Sequence, residues 1–288
     1  MQNTIIFGKS LTFPAFCFII YVSKLTALLG APESENLMQT EMTELQIPSS
    51  DGTVQPSLFY EAAPGSPLLV GLHTWSYDRF NQVDNMLPLA KKNGWHLLLP
   101  EFRGPNLEDN PHCREACGSP LARRDILDAI RFVASHYAID NGNVLLAGAS
   151  GGGHMALLVA AEAPEMFRAV CSFVPITDLA AWRTENPGYA GAVDACCGGD
   201  EGVMRERSPI AHIGGLAHAN IKIFSGKWDG VVPCRQGLDL YTRLTAAHPD
   251  AHVYFEVFDG GHEMRLDDAE RFFLAQMKKA GRVATVTG

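Results

Sequence analysis

Positive charge is scarce in this chain: 23 lysines and arginines face 32 aspartates and glutamates, a formal net charge of −9. That balance excludes nucleic acid or an anionic membrane as the main partner, because either needs a basic face. No internal repeat recurs at solenoid periods, and there is no low-complexity tract. Long apolar runs are lacking as well. The longest, Leu11 to Val22, is about a dozen residues, short of the roughly twenty that a spanning helix wants. Metal-ligand spacing is also missing. His112-Cys113-x-x-x-Cys117 matches no standard zinc pattern, so neither a metal nor an organic cofactor is expected.

What is present suits one sizeable α/β domain with at most a small cap: 288 residues, 47% hydrophobic and 19% charged. Lys9, the apolar run and the small residue Ala31 read as a secretory signal over residues 1–31, with Lys24 interrupting its tail. That places the protein outside the cytoplasm, secreted or periplasmic. A start at Met38 or Met42 would instead leave it cytoplasmic. Outside the leader lie six cysteines, Cys113, Cys117, Cys171, Cys196, Cys197 and Cys234. An even number after export allows disulfides, but their connectivity is not readable from sequence.

From about residue 40 to 285 the chain reads as one catalytic domain. Thr43 to Ile47 and Val54 to Glu61 flank Ser49-Ser50-Asp51-Gly52, a hairpin signal. Leu68 to Leu72, His96 to Leu99, Val144 to Ala147, Ala169 to Val174, Ile221 to Phe224 and His252 to Val257 are further strands. Asn141-Gly142-Asn143 is expected to turn the chain into the third of these. Helices are expected at Val83 to Asn93, Ala122 to Tyr137, Arg235 to Ala247 and Asp267 to Ala280. Strands alternating with helices mean a mostly parallel sheet covered on both faces, with ligands at the carboxyl ends of the strands.

The strand ending at Ala147 runs into Gly148-Ala149-Ser150-Gly151-Gly152-Gly153, and an apolar helix leaves it. This is G-x-S-x-G between strand and helix, the pattern of a nucleophile elbow. Ser150 is the candidate nucleophile, and the N–H of Gly151 a candidate oxyanion donor at a helix N-terminus. A serine hydroxyl needs a base, and the base needs an orienting acid. His262, in the loop after the last strand, is the candidate base; His73 and His154 read as packing or loop-shaping residues. Asp229 is the candidate acid, with Asp259 and Glu256 as rivals. The second oxyanion donor is expected from the loop Gly71 to Asp78, with Trp75 the first choice and Thr74 the alternative.

These motifs, with Pro100-Glu101-Phe102-Arg103-Gly104-Pro105 and Asp125-Ile126-Leu127-Asp128-Ala129, make the chain resemble an α/β-hydrolase of the prolyl-oligopeptidase branch from Pro67 to Phe273. The resemblance implies that Ser150, Asp229 and His262 are catalytic. Peptidases of that branch carry a large N-terminal propeller, and fewer than seventy residues precede the domain here. The expectation is therefore a serine hydrolase of carboxylic esters, such as acylated carbohydrates. A small aminopeptidase or dipeptidyl hydrolase is the alternative, and an inactive binding module a third reading. Residues 177–218 are expected to form a cap. Trp75, Tyr77, Trp182 and Tyr189 are expected to offer flat faces to the substrate.

Overall fold

The computed structural model describes residues 41–281; the leader expected over residues 1–31 lies outside them. The described chain opens with a hairpin, β1 (Thr43–Pro48) and β2 (Val54–Tyr60). Its turn closes through Ser49 N–H to the Thr53 carbonyl at 2.8 Å, with Gly52 at φ 88°. Then come β3 (Ser66–Leu72), α1 (Val83–Asn93), β4 (His96–Pro100) and α2 (Pro120–His136). β5 (Ile139–Ala149) and α3 (Gly151–Glu162) follow, and then β6 (Ala169–Phe173). Four short helices come next: α4 (Leu179–Glu185), α5 (Ala190–Cys197), α6 (Glu201–Glu206) and α7 (Ile213–Leu216). The chain closes with β7 (Ile221–Gly226), α8 (Arg235–Ala247), β8 (Val253–Phe258) and α9 (Leu266–Gly281).

The strands form one eight-stranded sheet in the order β1-β2-β4-β3-β5-β6-β7-β8. β1 and β2 are antiparallel additions to an otherwise parallel sheet. This is the α/β-hydrolase fold. β4 and β6 are buried at every residue, as a parallel strand covered on both faces must be. Leu68, Val70 and Leu72 pack on one face with residues of α2, α3 and α8. On the other face α9 meets α1, and Trp95 just after α1 stacks edge-on against Phe273. α1 stops where Gly94 takes the left-handed conformation, φ 67°, which a side chain would resist.

One local expectation is corrected. Asn141 to Asn143 do not precede the strand; β5 already begins at Ile139. Its register with β3 jumps from Pro67 opposite Asp140 to Leu68 opposite Val144. The three residues between are extruded as a bulge. Asp140 stabilises it, accepting from the Gly142 N–H at 2.9 Å and from Asn143 Nδ2 at 2.6 Å. Turn-forming residues mark a bulge as readily as a strand boundary.

Charge is buried where the antiparallel edge meets the parallel core. Arg103, with φ 67° and a side chain 4% exposed, reaches Asp125 of α2 at 2.8 Å, Asp51 at 2.6 Å and Glu115 at 2.6 Å. Ser49 donates to the other oxygen of Asp125. A single guanidinium thus joins the hairpin turn, the loop after β4 and α2.

His154 on α3 is fully buried, and its Nε2–H donates to the Arg207 carbonyl at 2.6 Å while Nδ1 has no partner among the described residues. Burial holds its pKa down to about 4, against the smaller opposing effect of that carbonyl. Below pH 6.5 the unfolded chain takes up a proton that the folded chain refuses. The neutral ring therefore favours folding fully above pH 6.5, and this contribution is lost as the pH falls toward 4. Urea unfolding between pH 7 and pH 4 should show a loss of about 3 kcal/mol from this residue alone. In His154→Gln the pH dependence should be shallower by that amount. Equal slopes in the two proteins would show that His154 is not the titrating group.

Candidate active site

Ser150 stands between β5 and α3 at φ 56°, ψ −120°, a conformation costly for any residue with a side chain and typical of functional sites. Its N–H donates to the Phe173 carbonyl at 2.9 Å, and its carbonyl accepts from the His154 N–H at 2.9 Å. The turn is possible only because its neighbours are glycines. A Cβ on Gly148 would lie 2.3 Å from the Gly152 carbonyl oxygen. One on Gly152 would lie 2.5 Å from the Leu72 carbonyl oxygen and 2.7 Å from that of His73. The first turn of α3 is therefore pressed onto the loop that leaves β3.

That contact brings two backbone donors together. A Cβ on Gly151 would sit 2.6 Å from the Trp75 nitrogen, so only a hydrogen fits between the two main chains. The Gly151 N–H belongs to the unsatisfied first turn of a helix. The Trp75 N–H has no acceptor among the described residues, whereas that of Thr74 is taken by Asn81 Oδ1 at 3.0 Å.

The Thr74–Trp75 peptide is held from several sides. His73 Nδ1 donates to the Thr74 carbonyl at 3.0 Å, and the Trp75 carbonyl accepts from the Asn106 N–H at 2.8 Å. The His73 ring is stacked on Phe102, centroids 3.8 Å apart, with Nε2 3.3 Å from Glu101 Oε1. Burial would raise the Glu101 pKa, but the hydrogen bond and charge of His73, with Arg79 adding to them, bring it below the ordinary carboxylate range. His73 thus shapes the loop, as its sequence position suggests. Asn81, Asn106 and Glu101 were assigned no role from sequence. The two asparagines carry no periodic or motif signal.

At the next strand ends, Asp229 and His262 meet. Asp229 Oδ2 accepts from His262 Nδ1 at 2.8 Å, and Oδ1 accepts from the N–H groups of Val231 and Val232 at 2.8 and 2.9 Å. The aspartate side chain is fully buried and the imidazole 26% exposed. Their two loops are laced by backbone bonds, Lys227 N–H to Phe258 and Trp228 N–H to Gly260, both 2.9 Å. The rival acids are engaged elsewhere. Asp259 accepts from the Trp228 indole N–H at 2.8 Å, and Glu256 pairs with Lys222 at 2.7 Å. The structure does not join Ser150 to His262: the serine hydroxyl has no hydrogen bond among the described residues. Such links are commonly loose before substrate binds.

Residues 177–218, which hold α4 to α7, lie against these loops. Trp182 Nε1 donates to the Val231 carbonyl at 2.9 Å, next to Asp229. Here the expectation about aromatics is corrected. Trp75 and Trp182 are 2% and 0% exposed and pack edge-on at 4.9 Å, inside a cluster with Ile176, Val193, Met204 and Val232. They are structural. Tyr189 packs on the same cluster, and burial pushes its phenol pKa up to about 12. Of the four only Tyr77 is well exposed, at 43%.

Residues 122–279, from the first turn of α2 to α9, match the model of the prolyl oligopeptidase family. Solved structures are similar over most of the described chain. An acylaminoacyl peptidase from Pyrococcus horikoshii is 18% identical, covering 83% of this chain and 41% of its own, with a TM-score of 0.63. A puromycin-hydrolyzing peptidase from Mycobacterium tuberculosis is 17% identical, covering 84% and 40%, at 0.66. An acylaminoacyl peptidase in complex with Z-Gly-Gly-Phe-chloromethyl ketone is 18% identical, covering 82% and 40%, at 0.64. At these identities the likeness is one of fold, and this chain spans about two fifths of their length.

The elbow's packing is testable without a substrate. Gly152→Ala places a methyl against two carbonyl oxygens of the β3 loop, and should destabilise the protein by about 2–4 kcal/mol. Urea denaturation with intrinsic fluorescence reads this directly. An unchanged midpoint would mean that α3 does not press on that loop.

Proposed function

Since the chain belongs to the prolyl oligopeptidase family and is a serine hydrolase, we propose that it is a peptidase acting on short peptides or N-acylated aminoacyl amides. The observation that carries the catalytic assignment is the Asp229–His262 pair at the neighbouring strand ends, together with a strained Ser150 whose elbow abuts the Trp75 N–H. The relatives of like fold are peptidases, which supports amide substrates. The sugar-ester reading leaned on stacking faces at Trp75 and Trp182, and those faces are buried.

In this reading His262 Nε2 takes the hydroxyl proton as Ser150 Oγ attacks the carbonyl carbon. Asp229 holds Nδ1–H and stabilises the imidazolium. The N–H groups of Gly151 and Trp75 receive the negative charge that develops on the carbonyl oxygen. The amide nitrogen then leaves with the proton from His262, which an amine requires more than an alcohol does. Water attacks the acyl-enzyme by the same route and restores the serine. The role of residues 177–218 is to cap this site.

Ser150→Ala should lower turnover on the order of a million-fold with the melting curve unchanged, and should abolish labelling by a serine-directed phosphonate. A variant that keeps a tenth of the activity, contamination excluded, would remove Ser150 from the mechanism.

Asp229→Asn should cost about ten-thousand-fold in kcat, because the wrong imidazole tautomer is then favoured, while Asp259→Asn should cost little. The opposite order in steady-state kinetics would transfer the acid role to Asp259.

For substrate class, kcat/KM should be higher for aminoacyl or N-acyl-peptide amides than for acetylated sugars or short-chain alkyl esters, compared with unactivated leaving groups. A preference for the esters would return the chain to the esterase reading and leave the triad assignment intact.

A further inference from the structure

Four of the six described cysteines gather in one place. Cys113 and Cys117 lie on the turn-rich segment between β4 and α2, and Cys196 and Cys197 end α5. Cys117, Cys196 and Cys197 are buried and Cys113 half-buried, all within the apolar cluster of Trp75 and Trp182. The two segments are held together independently of sulfur. The Arg207 guanidinium donates to Ala116 O at 3.2 Å and Arg114 O at 2.8 Å on one, and to Cys196 O at 3.2 Å on the other. At Gly198, which caps α5 at φ 69°, a Cβ would lie 2.9 Å from the Arg114 guanidinium. A Cβ on Gly191 of α5 would lie 2.3 Å from Glu108 Oε1, in the first segment. Within this frame Cys113 faces Cys196, and Cys117 faces both Cys196 and Cys197. Cys171 and Cys234 stand apart, one on β6 and one at the start of α8.

We propose that these thiols form two disulfides, Cys113–Cys196 and Cys117–Cys197, that staple α5 to the segment between β4 and α2. The pairing follows from the contacts. Cys113 faces Cys196, and assigning Cys196 to it leaves Cys197, the other sulfur that Cys117 faces, for Cys117. Six cysteines allow fifteen pairings on paper; these contacts favour the one that joins the two segments through all four sulfurs. A tetrathiolate metal site is the competing use of such a cluster. Among the described residues no three His, Cys, Asp or Glu side chains stand so as to hold an ion.

The chemistry is thiol–disulfide exchange with an external disulfide, that of an oxidoreductase or oxidised glutathione. One protein thiolate attacks a sulfur of the carrier, whose other sulfur leaves as a thiolate. The second protein thiolate then attacks the mixed disulfide, forms the protein S–S bond and expels the remaining carrier sulfur. Each bond thus sends two electrons to the carrier, and the two thiol protons end on its reduced sulfurs. Cys197 is suited to act as an attacking thiolate. The Cys117 thiol beside it lowers its pKa against the effect of burial, and the charge of Arg207 adds to this. Cys113, half-buried, is the sulfur most open to a carrier.

The test uses the full-length protein, equilibrated in a glutathione buffer at the oxidising poise of a secretory compartment. It is then unfolded, alkylated without reductant and mapped by mass spectrometry. Expected are two disulfides, with Cys171 and Cys234 alkylated. Cys113→Ser should free Cys196 and keep the Cys117–Cys197 bond; Cys117→Ser should free Cys197 and keep the other. Reduction should lower the melting temperature on the order of 10 °C, since each bond closes a loop of many residues. Alkylation of all four cluster cysteines, the crossed pairs Cys113–Cys197 and Cys117–Cys196, a vicinal Cys196–Cys197 bond, a Cys113–Cys117 bond, or stoichiometric zinc on the purified protein would each overturn the proposal.

Discussion

The close main-chain contact of α3 against the loop after β3 organises the rest of the site. A helix N-terminus rarely touches another backbone without side chains between them. Here a Cβ on Gly151 or Gly152 would fall 2.5–2.6 Å from backbone atoms of Leu72 or Trp75. Three consequences follow from one contact. The turn that allows it forces Ser150 to positive φ, which raises the hydroxyl out of the strand. The helix start presents its unsatisfied N–H groups and the positive end of its dipole next to Ser150. The Trp75 N–H is brought beside them from a different strand.

Such a contact stores strain, and strain persists only where the surroundings over-determine it. The surroundings here are polar and buried. His73, Asn81 and Asn106 fix the peptides on either side of Trp75, and Glu101 with Arg79 fixes His73. Two residues on, Arg103 carries three carboxylate partners and ties the hairpin edge to α2. A buried ion pair of this kind adds little net stability over apolar packing, yet leaving one member unpaired costs several kcal/mol. The run from Glu101 to Arg103 is therefore better understood as fixing positions than as supplying stability.

Much of this was legible from residues alone. Continuous apolar runs revealed the parallel strands, and Gly94 marked the end of α1. The helix over Arg235 to Ala247 emerged with those bounds. G-x-S-x-G between strand and helix located the elbow, and chain order located Asp229 and His262 at neighbouring strand ends. Less legible was anything decided by three-dimensional burial. An aromatic residue in a loop reads the same whether it stacks on a ligand or fills a core, so Trp75 and Trp182 were misplaced at the mouth. The bulge at residues 141–143 shares its composition with a turn. Asn81 accepts from the Thr74 N–H and Asn106 donates its main-chain N–H to Trp75 while its side chain accepts from the Cys117 N–H, local bonds that leave no periodicity to detect.

Residues 177–218 depend on their attachments. α4 to α7 are four to eight residues long, well below the length at which an isolated helix holds in water. Their order must come from attachments. Gln236 of α8 accepts from the N–H groups of Thr177 and Asp178 at 2.9 Å and donates to Glu185 at 2.9 Å, fixing both ends of α4. Trp182 and Asn186 donate to the Val231 carbonyl at 2.9 and 3.0 Å, and Ser208 accepts from the Leu179 N–H at 2.9 Å. α4 is thus bound to α8 and to the loop after β7 by polar contacts that α5, among the described residues, lacks. α5 rests on the bidentate Arg183–Asp194 pair at 2.7 and 2.8 Å, on the Arg207 bridge, and on apolar packing that includes the sulfurs. An exposed ion pair contributes little. Of the short helices packed against Trp75, α5 is the one whose position depends most on the sulfur cluster.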